Sequence, residues 1–144
     1  GVRGALVAGL LASAGVEELS LVDGAIVEQD DLGAHPLQFT PDIHAAKPEA
    51  LAAKLGLVNP AVFAQPFPAY VEASNAAAII AGSDAVVDCA GSADATAALT
   101  EACAESAIPL VEPPADFSAE VDVARASAAG AEQAAAVLAL RRAD

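Results

Sequence analysis

The chain has no methionine and no tryptophan, and only one tyrosine and four phenylalanines in 144 residues. A core so poor in aromatics has to be filled by small aliphatic side chains. The abundance of alanine suits helices packed at short range. Cysteine is almost absent as well. Cys89 and Cys103 are too few for a four-cysteine zinc site, so zinc is not expected, and they form no disulfide framework. A reducing cytoplasm is the expected compartment. Positive charge is the third shortage. Arg3, Lys47, Lys54, Arg125, Arg141 and Arg142 stand against 20 Asp+Glu, giving a net charge of −14. That balance argues against nucleic acid or an anionic membrane as partner. Any phosphate site must use those few cations or backbone N–H groups. Long apolar runs are missing too, although 56% of residues are hydrophobic and the mean hydropathy is +0.50. The longest, 5–14 and 134–140, fall short of the roughly 20 residues a membrane span needs. No basic-then-apolar leader is visible, and the first residue is not methionine. The expectation is a chain cut from a longer sequence.

What is present alternates between two periodicities. Residues 5–14 read as a helix closed by Gly15, and 18–22 as an apolar strand ending at Asp23. A long polar loop follows. Residues 47–55 then read as an amphipathic helix stopping at Gly56, and 61–67 as a strand that Pro66 confines to an edge or shortens. Helix 73–81, with Ser74 or Asn75 as cap, precedes strand 85–89; helix 92–106, with Ser92 or Asp94 as cap, precedes the short strand 109–112. A terminal helix is expected over 131–142, and 113–130 reads as a flexible crossover. Short strands alternating with longer helices predict βαβ units, hence a single α/β domain over 1–144: a Rossmann-like, doubly wound, mainly parallel sheet with helices on both faces. Gly1-Val2-Arg3-Gly4 resembles the turn that opens the first helix of such a unit, but no strand precedes it. We therefore expect a missing N-terminal strand.

Four motifs can carry chemistry. Glycines at Gly1 and Gly4 would let backbone N–H groups approach a phosphate; the alternative is a plain tight turn. Asp23, at the carboxyl end of its strand, is placed to bind ribose hydroxyls; the alternative is a turn residue before Gly24. Lys47 opens a helix and can hold phosphate or simply be solvated. Asp88 ends a Val-Val-Asp strand and can hold Mg²⁺ or close a turn before Ala90-Gly91. Cys89 and Cys103 read as small buried hydrophobes. His35 and His44 read as loop or surface histidines rather than metal ligands.

Taken together, these residues resemble the ThiF/MoeB/HesA family, bacterial relatives of the ubiquitin-activating enzymes. The segment AGVEELSLVDG resembles that family's strand with its ribose-binding Asp, here Asp23. Eight residues further, Asp31-Leu32-Gly33-Ala34-His35 stands where the family has Asn-Leu-x-Arg-Gln. Lys47 falls, without a gap, on the phosphate-binding lysine. Asp88-Cys89-Ala90-Gly91 falls on Asp-Cys-Thr-Asp, whose first Asp binds Mg²⁺. LVNPAVFAQPF and GAEQAAAVLALRR resemble the family's Asn-Pro turn and its closing helix.

The resemblance implies ATP and Mg²⁺ as cofactors and a ubiquitin-like carrier protein or peptide as partner, in a homo- or heterodimer. It implies adenylation of the carrier's C-terminal carboxylate. Two anions must meet in that reaction, so its catalysis is largely positive charge and positioning. Asp88 and Lys47 would act as the catalytic groups, and Gly1, Gly4, Asp23, Lys47 and Asp88 would bind the nucleotide. The departures all remove or oppose positive charge. Ala34 replaces an arginine and Asp31 an asparagine. A like-charge contact at about 4 Å is unfavourable by on the order of 4 kcal/mol at an effective dielectric near 20, as an upper guide. The expected function is a divergent nucleotide-binding domain, weakened or non-catalytic alone. The alternatives are an adenylyltransferase completed by a partner subunit or by the missing N-terminus, and an NAD(P)-binding oxidoreductase domain.

Overall fold

The computed structural model describes residues 1–33, 35 and 37–113. The chain divides into two compact units, Gly1–Val71 and a second beginning at Glu72. The first unit runs α1 (Val2–Ser13), β1 (Glu18–Val22), two 3-10 turns (Gln29–Asp31 and Thr40–Asp42), α2 (Lys47–Val58) and β2 (Phe63–Phe67). In the second, α3 (Ala76–Ile80), β3 (Val86–Val87), α4 (Ala93–Ser106) and β4 (Leu110–Val111) follow.

Each unit holds one parallel strand pair joined by a helix, as the alternating sequence predicts. In the first, Glu18 to Val22 register with Phe63 to Phe67. In the second, Val86 and Val87 register with Leu110 and Val111. Alanine makes the first unit's core possible. Ala5, Ala8 and Ala12 repeat at helical spacing on one side of α1 and are buried with Leu51 and Leu55 of α2. Leu19, Leu21 and Ala64 pack onto this cluster from one face of the strand pair. On the opposite face, Ser20, Phe63 and Gln65 are exposed.

Several boundaries differ from the sequence expectation. Helix α1 begins at Val2, so Gly4 lies inside its first turn rather than before it. It ends in a left-handed Gly15 (φ +90°), with the Val16 N–H reaching back to the Leu11 carbonyl at 3.0 Å. Helix α2 passes through Gly56 to Val58; Gly56 is exposed and bends nothing. Asn59 then ties the turn down, donating to the Ala12 carbonyl at 2.9 Å and accepting from the Ala61 N–H at 3.0 Å. Helix α3 is only Ala76–Ile80, and Asn75 caps nothing with its side chain, accepting instead from the Glu72 N–H. Ser92 occupies the position before α4 without a side-chain cap bond. Both second-unit strands are shorter than expected.

Pro66 sits within β2 rather than ending it. The Phe63 N–H donates to the Glu17 carbonyl and the Asp23 N–H to the Phe67 carbonyl, so the odd-numbered residues of β2 face β1. Pro66 points its nitrogen the other way, where no ladder bond is lost. The expected terminal helix and nearly all of the expected flexible segment lie outside the described residues. Among the described residues no helix is long and apolar enough to cross a membrane.

Candidate functional site

The polar loop that separates Asp23 from Lys47 is closed by a short antiparallel bridge. Ile26 pairs with Ala46. The Val27 N–H donates to the Ala45 carbonyl at 2.8 Å, the His44 N–H to the Val27 carbonyl at 2.9 Å, and the Lys47 N–H to the Ala25 carbonyl at 2.9 Å. The Ala25 N–H in turn donates to Asp23 Oδ1 at 2.9 Å. A single hydrogen-bonded path thus runs from the Asp23 carboxylate to the first residue of α2. The bridge fixes the two groups relative to one another although they are remote in sequence.

The Gly1 nitrogen donates to Asp23 Oδ2 at 2.7 Å. Gly1, Asp23 and Lys47 are therefore brought together. Gly4 enters only through its place in α1.

Lys47 carries a partner that the sequence reading did not assign. Its Nζ donates to Asp31 Oδ1 at 2.8 Å, both side chains being partly buried. The Glu28 N–H holds Asp31 Oδ2 at 2.8 Å. These two donors, Lys47 first, hold the Asp31 carboxyl down. Asp31 is thus ionised, oriented and pointed at the cation on which a phosphate would have to draw.

Two neutral polar side chains lie deeper in the loop. His35 and Gln38 are 5% and 4% exposed. His35 Nδ1 and both Gln38 amide atoms have no hydrogen-bond partner among the described residues. Burial pushes the imidazole's pKa down, so His35 is neutral near pH 7. It is a loop-packing histidine rather than a surface one. His44, by contrast, is exposed and has a positive φ of 74°.

Asp88 belongs to the second unit. It is buried, accepts from the Ala90 N–H at Oδ1 (2.9 Å) and takes the Thr96 hydroxyl at Oδ2 (2.5 Å). The carboxylate is oriented between the tip of β3 and the first turns of α4. Each oxygen keeps a further lone pair, which fits the one or two carboxylates by which Mg²⁺ on a nucleotide is held. Among the described residues no three His, Cys, Asp or Glu side chains converge. Cys103 is buried in α4 and burial pushes its thiol up. Cys89 is half-buried rather than buried.

Parallel β-α-β pairs with an acid at the tip of β1 define a Rossmann-like α/β domain. The chain belongs to the ThiF family, whose sequence pattern matches residues 1–126. It is 37% identical over 101 residues to the SAMP-activating enzyme E1 of Haloferax volcanii, covering 70% of this chain and 37% of that protein. Among solved structures it superposes on the E. coli tRNA N6-threonylcarbamoyladenosine dehydratase TcdA with a TM-score of 0.73 and 26% identity, over 78% of this chain and 47% of that one. TcdA in complex with ATP gives a TM-score of 0.71 at the same identity and the same shares of the two chains. PaaA shares the fold, at a TM-score of 0.71 and 24% identity, over 81% of this chain and 36% of that one. The chain spans less than half the length of each of these proteins.

Tyr70 was not singled out as a site residue by the sequence. A β-carbon on Gly24 would lie 2.4 Å from its Cδ2 and 2.6 Å from its Cε2 and Cγ. Any larger residue after Asp23 would have to displace that ring. The Asp23-Gly24 pair is legible in the sequence, but nothing in it announces the ring that comes to rest there.

Proposed function

We propose that this chain is a ThiF-type domain that takes an adenine nucleotide at the Gly1, Asp23 and Lys47 cluster and works with a ubiquitin-like carrier protein or peptide, in a homo- or heterodimer. On its own it is a weak adenylyltransferase or none. The printed names of its relatives support the class of ligand: one activates SAMP, and the solved dehydratase occurs in complexes with AMP and ATP. The observation that carries the reading is the hydrogen-bonded path from Asp23 through Ala25 to Lys47. That path ties the carboxylate that would accept from ribose hydroxyls to the lysine that would meet phosphate, which supports the reading.

In adenylation a carboxylate attacks the α-phosphorus, the bond to the β-phosphate oxygen breaks, and pyrophosphate leaves. Asp23 would accept from the ribose hydroxyls, and Lys47 would neutralise phosphate charge. Within the second unit, Asp88 has the chemistry of a Mg²⁺ ligand. In this chain Asp31 already neutralises Lys47, and Ala34 stands where the family pattern has arginine. The cationic charge left for a polyanion is small, and electrostatic stabilisation of the transition state falls with it.

Calorimetry of Mg·ATP and AMP against the wild type, Asp23→Ala and Asp31→Asn tests this. We expect weak binding by the wild type, none by Asp23→Ala, and a five- to tenfold gain for Asp31→Asn. That gain corresponds to about 1 kcal/mol, the upper range for a partly exposed ion pair. Micromolar Mg·ATP affinity in the wild type would overturn the weakened reading, and Asp23→Ala binding like wild type would overturn the site.

A further inference from the structure

Resting on this nucleotide reading, we propose that His35 and Gln38 are positioning residues that act on Lys47 through Asp31. Their unmet polar atoms weaken the hold of Asp31 on the lysine and so set how readily an anion takes its place. His35 Nδ1 and both Nε2 and Oε1 of Gln38 are buried with no hydrogen-bond partner among the described residues. Neutral polar atoms inside a folded protein nearly always have one. Water satisfies these atoms when they are uncovered. Each unmet group therefore disfavours the covered arrangement by roughly 5- to 100-fold relative to one that exposes it.

Hydrogen bonds couple these atoms to the lysine. The Gln38 N–H donates to the His35 carbonyl at 3.5 Å, and the His35 N–H to the Asp31 carbonyl at 3.0 Å. Asp31 Oδ1 then takes Lys47 Nζ at 2.8 Å. Two contacts oppose release: the Asp31–Lys47 pair itself, and Leu37, which packs against the first unit's core between His35 and Gln38. The antiparallel bridge is separate. Its bonds, Val27 to Ala45 and Lys47 to Ala25, involve neither His35 nor Gln38. Asp31 can therefore leave Lys47 with the bridge intact.

An anion that meets Lys47 binds the released arrangement, and its apparent affinity follows the population of that arrangement. Apolar side chains at 35 and 38 would give a more stable loop and a poorer anion site. The two polar residues place an instability where Asp31 has to let go.

Amide hydrogen exchange on the full chain reads the release without any ligand. In the wild type the Asp31 and His35 amides should exchange at least about tenfold faster than the bridge amides of Val27 and Lys47. Gln38→Leu and His35→Leu each remove unmet polar atoms at similar volume, and each should slow the Asp31 and His35 amides roughly 5- to 100-fold. Calorimetric affinity for inorganic pyrophosphate should fall by the same factor in both variants and rise in Asp31→Asn. A substitution that stabilises the loop while weakening the anion is not what a merely structural role gives. Equal exchange of the two sets of amides in the wild type, or no slowing in the variants, overturns the proposal. So does slowed exchange with unchanged pyrophosphate affinity, or pyrophosphate binding by neither the wild type nor Asp31→Asn. If exchange and pyrophosphate behave as expected but the wild type binds neither AMP nor Mg·ATP, the nucleotide reading alone falls.

Discussion

Asp31 and Asp42 are built alike. Each takes the backbone N–H three residues upstream on one oxygen, Glu28 and Phe39 respectively, and a lysine on the other, Lys47 at 2.8 Å and Lys54 at 2.7 Å. Each thereby closes a 3-10 turn and ties the loop to α2. Lys54 also lies 5.5 Å from the centre of the Phe39 ring. Lysine hydrogen bonding holds both carboxyls below the usual carboxylate value. A depressed folded-state pKa contributes stability that is fully present above the unfolded value and is lost as pH falls through the folded value. The stability difference between wild type and Asp42→Asn, followed by urea unfolding at a series of pH values, should be constant near neutrality and shrink as pH falls through the folded value, below the usual carboxylate range. A difference that does not shrink on acidification would count against the assignment. Asp23 and Lys47 were legible in the sequence because a strand tip and a helix start fix them locally. The Asp31–Lys47 pair was not. It depends on the path of the loop, and nothing in the spacing of charges specifies which acid a lysine meets. The burial of His35 and Gln38 was hidden for the same reason.

Helix ends show a different kind of shortfall. Alternating apolar periods located every described helix and strand, while the capping residues misled. Asn75 and Ser92 are good caps by type, yet their side chains do not cap. Side-chain direction at a helix start depends on how the preceding chain enters, which composition does not encode. The end of α4 carries an avoidable strain. Ala107 adopts the left-handed conformation at φ 54°, and the Ile108 N–H closes onto the Cys103 carbonyl at 3.0 Å. This is the geometry in which glycine is favoured, and an L-residue there is disfavoured by about 1 kcal/mol. Ala107 is exposed, so no packing is lost on trimming it. Ala107→Gly should raise stability by up to about 0.5 kcal/mol, net of glycine's greater unfolded-state entropy. Chemical denaturation checks this, and a destabilised variant would show that the entropy term wins.

For the molecule as a whole, 20 acidic residues face 6 basic ones. Two of the described side-chain ion pairs are attractive, and the remaining charge is mostly repulsive. Raising ionic strength from about 0.1 M to about 1 M shortens the screening length from about 10 Å to about 3 Å. Screening weakens both kinds of interaction, but the repulsions outnumber the attractions. The melting temperature should therefore rise with sodium chloride, by about 3–4 °C for a stabilisation near 1 kcal/mol in a chain of this size. A falling melting temperature would mean that the lysine–aspartate pairs dominate. The Rossmann-like architecture was legible because it follows from the order of elements. The division into two compact units was not, since no shift in composition marks the boundary at Glu72.

Pro66 has a consequence for how the first unit's sheet can be extended. Its imino nitrogen faces away from β1, so the free side of β2 lacks a donor that another strand would need. That margin is weakened. On β1 the backbone groups of Glu18, Ser20 and Val22 face the other way, with their donors intact. A newcomer strand therefore gains a fuller ladder alongside β1, the strand that ends at Asp23. Growth of the sheet has a direction, and a proline sets it.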